Sequence, residues 1–340
     1  MSTTVRKRRV FYLSGFDPRA SHYHRIYRTE GQRQSAVNGL NVGISGRRRV
    51  APHVQGWDIH ATDAAGRVTL TTYEFLSWDD IIRRHWATTV GEVLADWWLT
   101  VRVYLLGGQL ARFARALRRQ LVTGLYPIGF VLAALVLAAG AASAILLGAW
   151  TLPGWPAWIR LAAGLSLALG LAWGIAWLAM RLGNRLAVWW LLRIYAFSAR
   201  WAAGRTAGLD ARIGIFAARV AAAARDPELD EILVVSHSVG SMLAVPVMAQ
   251  VLDDLDGESG VLDGRRLVLV TLGECIPLVS FQPQAAAYRQ ALQTVGCHPG
   301  LLWVDYTAPT DGACFPLLNP VVASGLAVAD GSGPHILSPR

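Results

Sequence analysis

Two patterns of hydrophobic and polar positions alternate along this chain. The outer parts change between short apolar runs and longer mixed segments. The middle is apolar almost without interruption. From Leu121 to Ile159 there is no charged residue, Arg160 stands alone, and Leu161–Met180 is again free of charge. Each stretch exceeds the roughly 20 apolar residues that cross a bilayer core. Between them lies Trp150-Thr-Leu-Pro-Gly-Trp-Pro156, a Pro/Gly turn with aromatic ends. The pattern predicts two transmembrane helices, about 121–149 and 157–180, with Trp150, Trp155 and Trp158 at one interface. A helical hairpin buried in a soluble core is the competing reading, and it rarely runs so far without a charge. Flanking segments from Trp86 to Leu106 and from Leu186 to Trp201 read either as helices lying in the membrane interface or as core helices of a soluble domain.

Outside the hairpin the pattern alternates strand and helix. Apolar or alternating strand-like runs fall at Val10–Leu13, Arg67–Phe75, Ile232–Val235, Leu267–Leu272 and Leu301–Val304. Helix-compatible segments fall at Arg25–Asn38, from Trp78, and at Ala207–Arg225, Val239–Leu252 and Pro283–Thr294. This order predicts an α/β fold with a mainly parallel, doubly covered sheet. The predicted organisation is one α/β domain, residues 1–85 and 205–340, interrupted after its second strand by a membrane insertion, residues 86–204.

Composition narrows the class. Only 16% of the 340 residues are charged, and 11 of the 14 tryptophans fall between Trp86 and Trp201. That excludes a disordered chain. The net charge of +9 could suit nucleic acid, but no nucleic-acid motif accompanies it. The basic residues instead cluster at Arg6–Arg9, at Arg47–Arg49 and on both sides of the apolar block: Arg112, Arg115, Arg118 and Arg119 before it, Arg181, Arg185, Arg193 and Arg200 after it. The positive-inside rule then places both termini in the cytoplasm, and a bacterial-type inner membrane is the expected setting. Val10–Phe16 is too short for the apolar region of a signal peptide. Cys275, Cys297 and Cys314 are too few and too scattered for a disulfide framework or a metal knuckle.

The chemistry concentrates in Glu231-Ile-Leu-Val-Val-Ser-His-Ser-Val-Gly-Ser-Met242. Four aliphatic residues run into Ser236-His237-Ser238-Val239-Gly240, and an apolar helix follows. This is the strand–turn–helix setting of a G-x-S-x-G nucleophile elbow, with Ser236 in place of the first glycine. An ordinary turn in which Ser238 caps the helix competes with that reading. Here the chain resembles the α/β-hydrolase superfamily, and the Ser-His-Ser-Val-Gly stretch looks most like lipases and esterases. The likeness spans residues 1–85 and 205–340 in element order, with motif content only around Ser238. It implies a serine nucleophile, an acid after a later strand and a histidine last in the chain.

Ser238 is therefore the expected nucleophile. Asp311, in a Pro/Gly loop beyond the strand 301–304, is the preferred acid, with Asp305 as the alternative. His335 is the one histidine after them and the expected base. His237 adjoins the nucleophile, but in an elbow its side chain points the other way. Backbone N–H groups of Val239 and of Phe16, in the Ser14-Gly15-Phe16-Asp17 turn, are the expected oxyanion donors. His22, His24, His53, His60, Asp79 and Asp80 match no metal-ligand spacing, and Cys275 has no elbow around it.

The expectation is a membrane-anchored serine hydrolase cleaving ester or thioester bonds of lipid or acyl substrates at the cytoplasmic face. It needs no metal or other cofactor, and its partners are the bilayer and its substrate. An acyltransferase on the same residues, or a non-catalytic membrane interaction protein on the same fold, are the alternatives.

Overall fold

The computed structural model describes residues 5–17, 23–258, 266–326 and 336–339. It divides into two compact units: Met1–His85 with Arg200–Arg340, and Trp86–Ala199.

The first unit opens with β1 (Lys7–Leu13), α1 (Tyr23–Asn38), β2 (Asn41–Ile44), β3 (Arg48–Ala51), β4 (Val54–Thr62), β5 (Val68–Leu76) and α2 (Asp79–Arg84). In the second unit follow α3 (Val90–Thr100), a π-helical turn Val101–Leu106, α4 (Gln109–Ala116), α5 (Arg118–Thr151), α6 (Ala157–Arg185) and α7 (Val188–Ala202), whose last residues rejoin the first unit. The first unit resumes with α8 (Leu209–Ala224), β6 (Glu231–His237), α9 (Gly240–Leu255), β7 (Arg266–Leu272), α10 (Pro277–Ser280), α11 (Ala286–Cys297), β8 (Leu302–Tyr306), α12 (Pro320–Ala323) and β9 (Ile336–Leu337).

The described strands form one mixed sheet in the order β2-β4-β5-β1-β6-β7-β8-β9, with β3 also on β4. The run from β5 to β9 is parallel, while β4 runs antiparallel to β5, β2 and β3. The fold is thus α/β and mostly parallel. The insertion follows the fifth strand rather than the second. The three additional strands are short or polar (Asn-Val-Gly-Ile, Arg-Arg-Val-Ala) or broken by Gly56, so their alternation is weak in sequence.

Alternation assigns the two faces. Phe11, Leu13, Leu76, Ile232, Val234, Leu269 and Trp303 are buried on one face, under α8, α9 and α11. On the other face α1 covers β1, β4 and β5, with Tyr23 and Tyr27 packed over Val10, Trp57, Tyr73 and Phe75. Further along that face the described residues leave Leu302 and Tyr306 exposed and Val270, Leu272 and Val304 half-buried. Double cover is therefore present over half of the sheet.

The covered face also encloses a charge. Glu74 on β5 is 1% exposed and accepts a two-pronged hydrogen bond from Arg219 of α8, with Arg9 at 4.0 Å. The pair ties α8, which follows the insertion, to the strand that precedes it. A second tie lies nearby: Arg212 donates to the Ser77 carbonyl and to both oxygens of Asp80, which holds that carboxyl below its ordinary range.

In the second unit, α5 and α6 are each long and apolar enough to cross a bilayer. They approach closely at Gly164, where a Cβ would come within 2.9 Å of Ala149. Arg160, at the turn, donates to the carbonyls of Trp150 and Leu152. A Thr89–Glu92 capping box starts α3, which exposes Leu94 and Trp98. In α7, by contrast, the residues from Leu192 to Ala199 are buried, including Arg193, whose guanidinium donates to Ala87 and lies over the Trp86 ring. Burial thus extends around this part of the helix.

Replacing Arg219 by Ala removes both hydrogen bonds to the buried Glu74 carboxylate and leaves it only the more distant Arg9. The expected loss is about 3–5 kcal/mol of stability, most of it recovered in the Arg219→Ala/Glu74→Leu double variant, as chemical denaturation would measure. Equal stability of wild type and single variant would refute this account.

Candidate functional site

Parallel strands that end together place their following loops on one edge, where α/β ligand sites form. Here Leu13, Ser236, Thr271 and Asp305 lie in register across β1, β6, β7 and β8. The turns beyond them meet around Ser238.

Ser238 has φ +53°, a left-handed backbone that non-glycine residues adopt rarely and at some cost. The turn is locked from several sides. The Ser238 N–H donates to Leu272 at 2.9 Å. Its carbonyl accepts from the Ser241 N–H and, at 2.6 Å, from the Ser241 hydroxyl, which in turn accepts the Cys275 N–H. Behind it α9 starts so close to β1 that a Cβ on Gly240 would sit 2.4 Å from the Leu13 carbonyl oxygen. Ser236, where a glycine is usual, is accommodated because its buried hydroxyl donates to Val270 at 3.3 Å.

The Ser14–Asp17 turn abuts this elbow. A Cβ on Gly15 would lie 3.2 Å from the Ser238 Cβ and 3.3 Å from His237 Nδ1. The turn is fixed by Asp17 N–H donating to Gly15 and by the Trp78 indole donating to Ser14. Phe16 itself is buried, its ring edge-on to Trp78. Val239 is buried at the head of α9. The turn that carries Phe16 thus lies against the elbow, and Val239 follows the serine in the chain. The helix N-terminus there favours developing negative charge.

On the other flank is the β7–α10 loop. Gly273 takes φ +64°, and a Cβ on it would lie 3.7 Å from Asp311 Oδ2. Cys275 contacts the Ser238 hydroxyl at 3.9 Å and donates to Ala313 at 3.3 Å, while Asp311 accepts the Ala313 N–H at 2.8 Å. Ser238 and Asp311 therefore border the same loop, and Asp311 is exposed. Burial pushes the Cys275 thiol well up, so it is no thiolate nucleophile. Sequence reasoning missed Ser241; a serine in the first turn of a helix carries no distinctive signal.

The two other acids here are structural. Asp305 is 1% exposed, its Oδ1 held by the Thr271 hydroxyl at 2.6 Å, and the Thr271 oxygen also accepts the Trp303 indole N–H. Burial raises its carboxyl to about 6. Glu274 is fully buried, accepts the Ile276 N–H and is pushed well above the carboxylate range by burial and by nearby Asp305. Both Glu274 Oε1 and Asp305 Oδ2 lack a hydrogen-bond partner among the described residues.

His335 lies outside the described residues, as does His22. His237 is held below its ordinary value by desolvation, opposed by Asp311, and makes no described hydrogen bond to Ser238. Of the other histidines, His24 meets Ser45 and Trp57, and His53 meets Arg212. Among the described residues no group of three or more His, Cys, Asp or Glu side chains could hold a metal ion. No protein-family model, curated protein or solved structure matches this chain.

The raised Asp305 carboxyl sets a pH dependence. The folded protein holds this proton more tightly than the unfolded chain, whose ordinary value is 3.8. The associated stability is present below about pH 4 and is lost as pH rises through about 6. Asp305→Asn keeps the Thr271 hydrogen bond and removes the ionisation. Its melting temperature relative to wild type should rise between pH 4.5 and 7.5, by the equivalent of roughly 2 kcal/mol. A pH-independent difference in thermal melts would contradict this.

Proposed function

We propose that the first unit is a serine hydrolase of the α/β-hydrolase type, cleaving esters or thioesters beside a membrane. The observation that carries the reading is the left-handed Ser238 between β6 and α9, held by the close approach of the Gly15 turn and by a contact at Gly240 that leaves no room for a side chain. Order along the sheet supports it. The strand before the serine lies between β1, whose turn abuts the elbow, and β7, and the acid follows the next strand, β8.

In this proposal the Ser238 hydroxyl attacks the substrate carbonyl. Its proton passes to His335, which Asp311 orients, and the oxyanion is held by the Phe16 and Val239 N–H groups. His335 then returns the proton to the leaving alcohol or thiol, and water repeats the sequence to free the acid. The helices α5 and α6 cross the bilayer with both termini cytoplasmic, as the arginines at 112–119 and 181–200 favour. They keep the active site near lipid or acyl substrates.

A second reading, a non-catalytic protein of the same fold, is favoured by one observation. The described neighbour of the Ser238 hydroxyl is a thiol rather than a base.

A fluorophosphonate probe separates the two. The purified full chain should label, and Ser238→Ala should abolish labelling. Asp311→Asn should slow it about a hundredfold or more, whereas Asp305→Asn should leave the rate near wild type. A folded wild type that does not label eliminates the hydrolase and supports the second reading.

A further inference from the structure

Between α1 and the uncatalysed face of the sheet lies a cavity of about 940 Å³, within the size range of small-molecule sites. Tyr12, Tyr27, Trp57, Tyr73, Leu233 and Val235 line it. These residues come from α1 and from four adjacent strands, and Val42 on β2 extends the floor to a fifth. At the usual strand spacing that floor is about 19 Å wide. The space is long as well as large, and its walls are mainly apolar.

Its polar groups are unusual. Tyr73 is 8% exposed, yet among the described residues its hydroxyl has no hydrogen-bond partner, nor do those of Tyr12 and Tyr27. The rings of Tyr12 and Tyr27 lie 6.0 and 4.9 Å from that of Tyr73, and burial among these phenols pushes the Tyr73 hydroxyl well above its ordinary range. Three phenols without a described protein partner on one mainly apolar lining offer donors to an acceptor supplied from outside. The charged groups of the lining are already matched: Arg8 with Glu231, Arg67 with Asp63, Glu30 with Arg33. They leave no net charge to hold an ionic head.

We propose that this cavity binds a neutral single-chain lipid, its aliphatic chain lying across the strands between α1 and the sheet, and its uncharged oxygen accepting hydrogen bonds from the Tyr73, Tyr12 and Tyr27 hydroxyls. The occupant is a long-chain alcohol or ester rather than a fatty acid anion or a phospholipid headgroup. The site shares Leu272 with the elbow, but binding here stands whether or not Ser238 is catalytic.

The full chain in lipid nanodiscs would be photolabelled with a diazirine-bearing hexadecanol, and the tryptic peptides carrying Tyr12, Trp57 and Tyr73 analysed. These peptides are separate from those of α5 and α6, which any membrane probe labels. Saturable labelling, displaced by unlabelled hexadecan-1-ol, is expected in wild type and equally in Ser238→Ala. Tyr73→Phe should raise the half-saturating concentration roughly five- to tenfold. Leu233→Trp, which fills the floor, should abolish labelling; should that variant misfold, Tyr73→Phe alone decides. Labelling confined to the α5 and α6 peptides, or unchanged in Tyr73→Phe, would overturn the site. Equal displacement by hexadecyl phosphate would overturn the neutral ligand.

Discussion

Everything at the sheet edge depends on one steric constraint, the approach of α9 to the end of β1. A helix that starts so near a strand that a Cβ would sit 2.4 Å from a carbonyl oxygen can do so only at a glycine. Gly240 meets that condition, and the consequences spread from it. With the helix held against Leu13 and Ser14, the chain has two residues in which to turn from strand to helix. Ser238 must then take a left-handed backbone, which lifts its side chain clear of the sheet. The Ser241 hydroxyl, bonded at once to Ser238 and to the β7–α10 loop, carries the constraint to Cys275 and so to Asp311. The site is built from backbone positions first and side chains second.

Burial of charge is the second organising element. The same sheet holds Glu74, Glu274 and Asp305, each almost fully enclosed, and treats them differently. Glu74 stays with two arginines and serves as a tie between α8 and β5. Asp305 and Glu274 have no cation beside them and are driven toward the neutral form by desolvation. Asp311, only a short loop away, remains in solvent. Acids of one sheet domain thus meet three environments, set by the cations and the solvent around them.

Much of this was legible in the sequence where apolar patterning is strong. The runs 232–235 and 267–272 are buried central strands and read as such; the apolar stretches around Arg160 are the long helices α5 and α6. The polar hairpins β2–β4 were not, because strands half-open to solvent and broken by glycine lose the alternation that marks them. Ser238 was legible because the elbow is a local motif. Of its supports, the Gly15 turn was legible as well, whereas Ser241 comes from a separate segment and acquires meaning only through proximity. Leu186–Trp201 stayed open between two readings because an arginine wedge on an apolar helix looks the same in sequence whether it meets lipid headgroups or, as Arg193 does, a carbonyl and an indole.

The double tie between α8 and the strand and helix preceding the insertion has a consequence for how such a chain could arise. Arg84 lies against Gly208, and Arg212 grips Ser77 and Asp80. The points where the chain leaves the sheet domain and returns to it are thus neighbours. For the sheet, the intervening segment is one surface loop, and closing a longer loop costs little more than closing a short one. A pair of long apolar helices could therefore be gained, exchanged or lost at this position during evolution while the sheet kept the same ends to join.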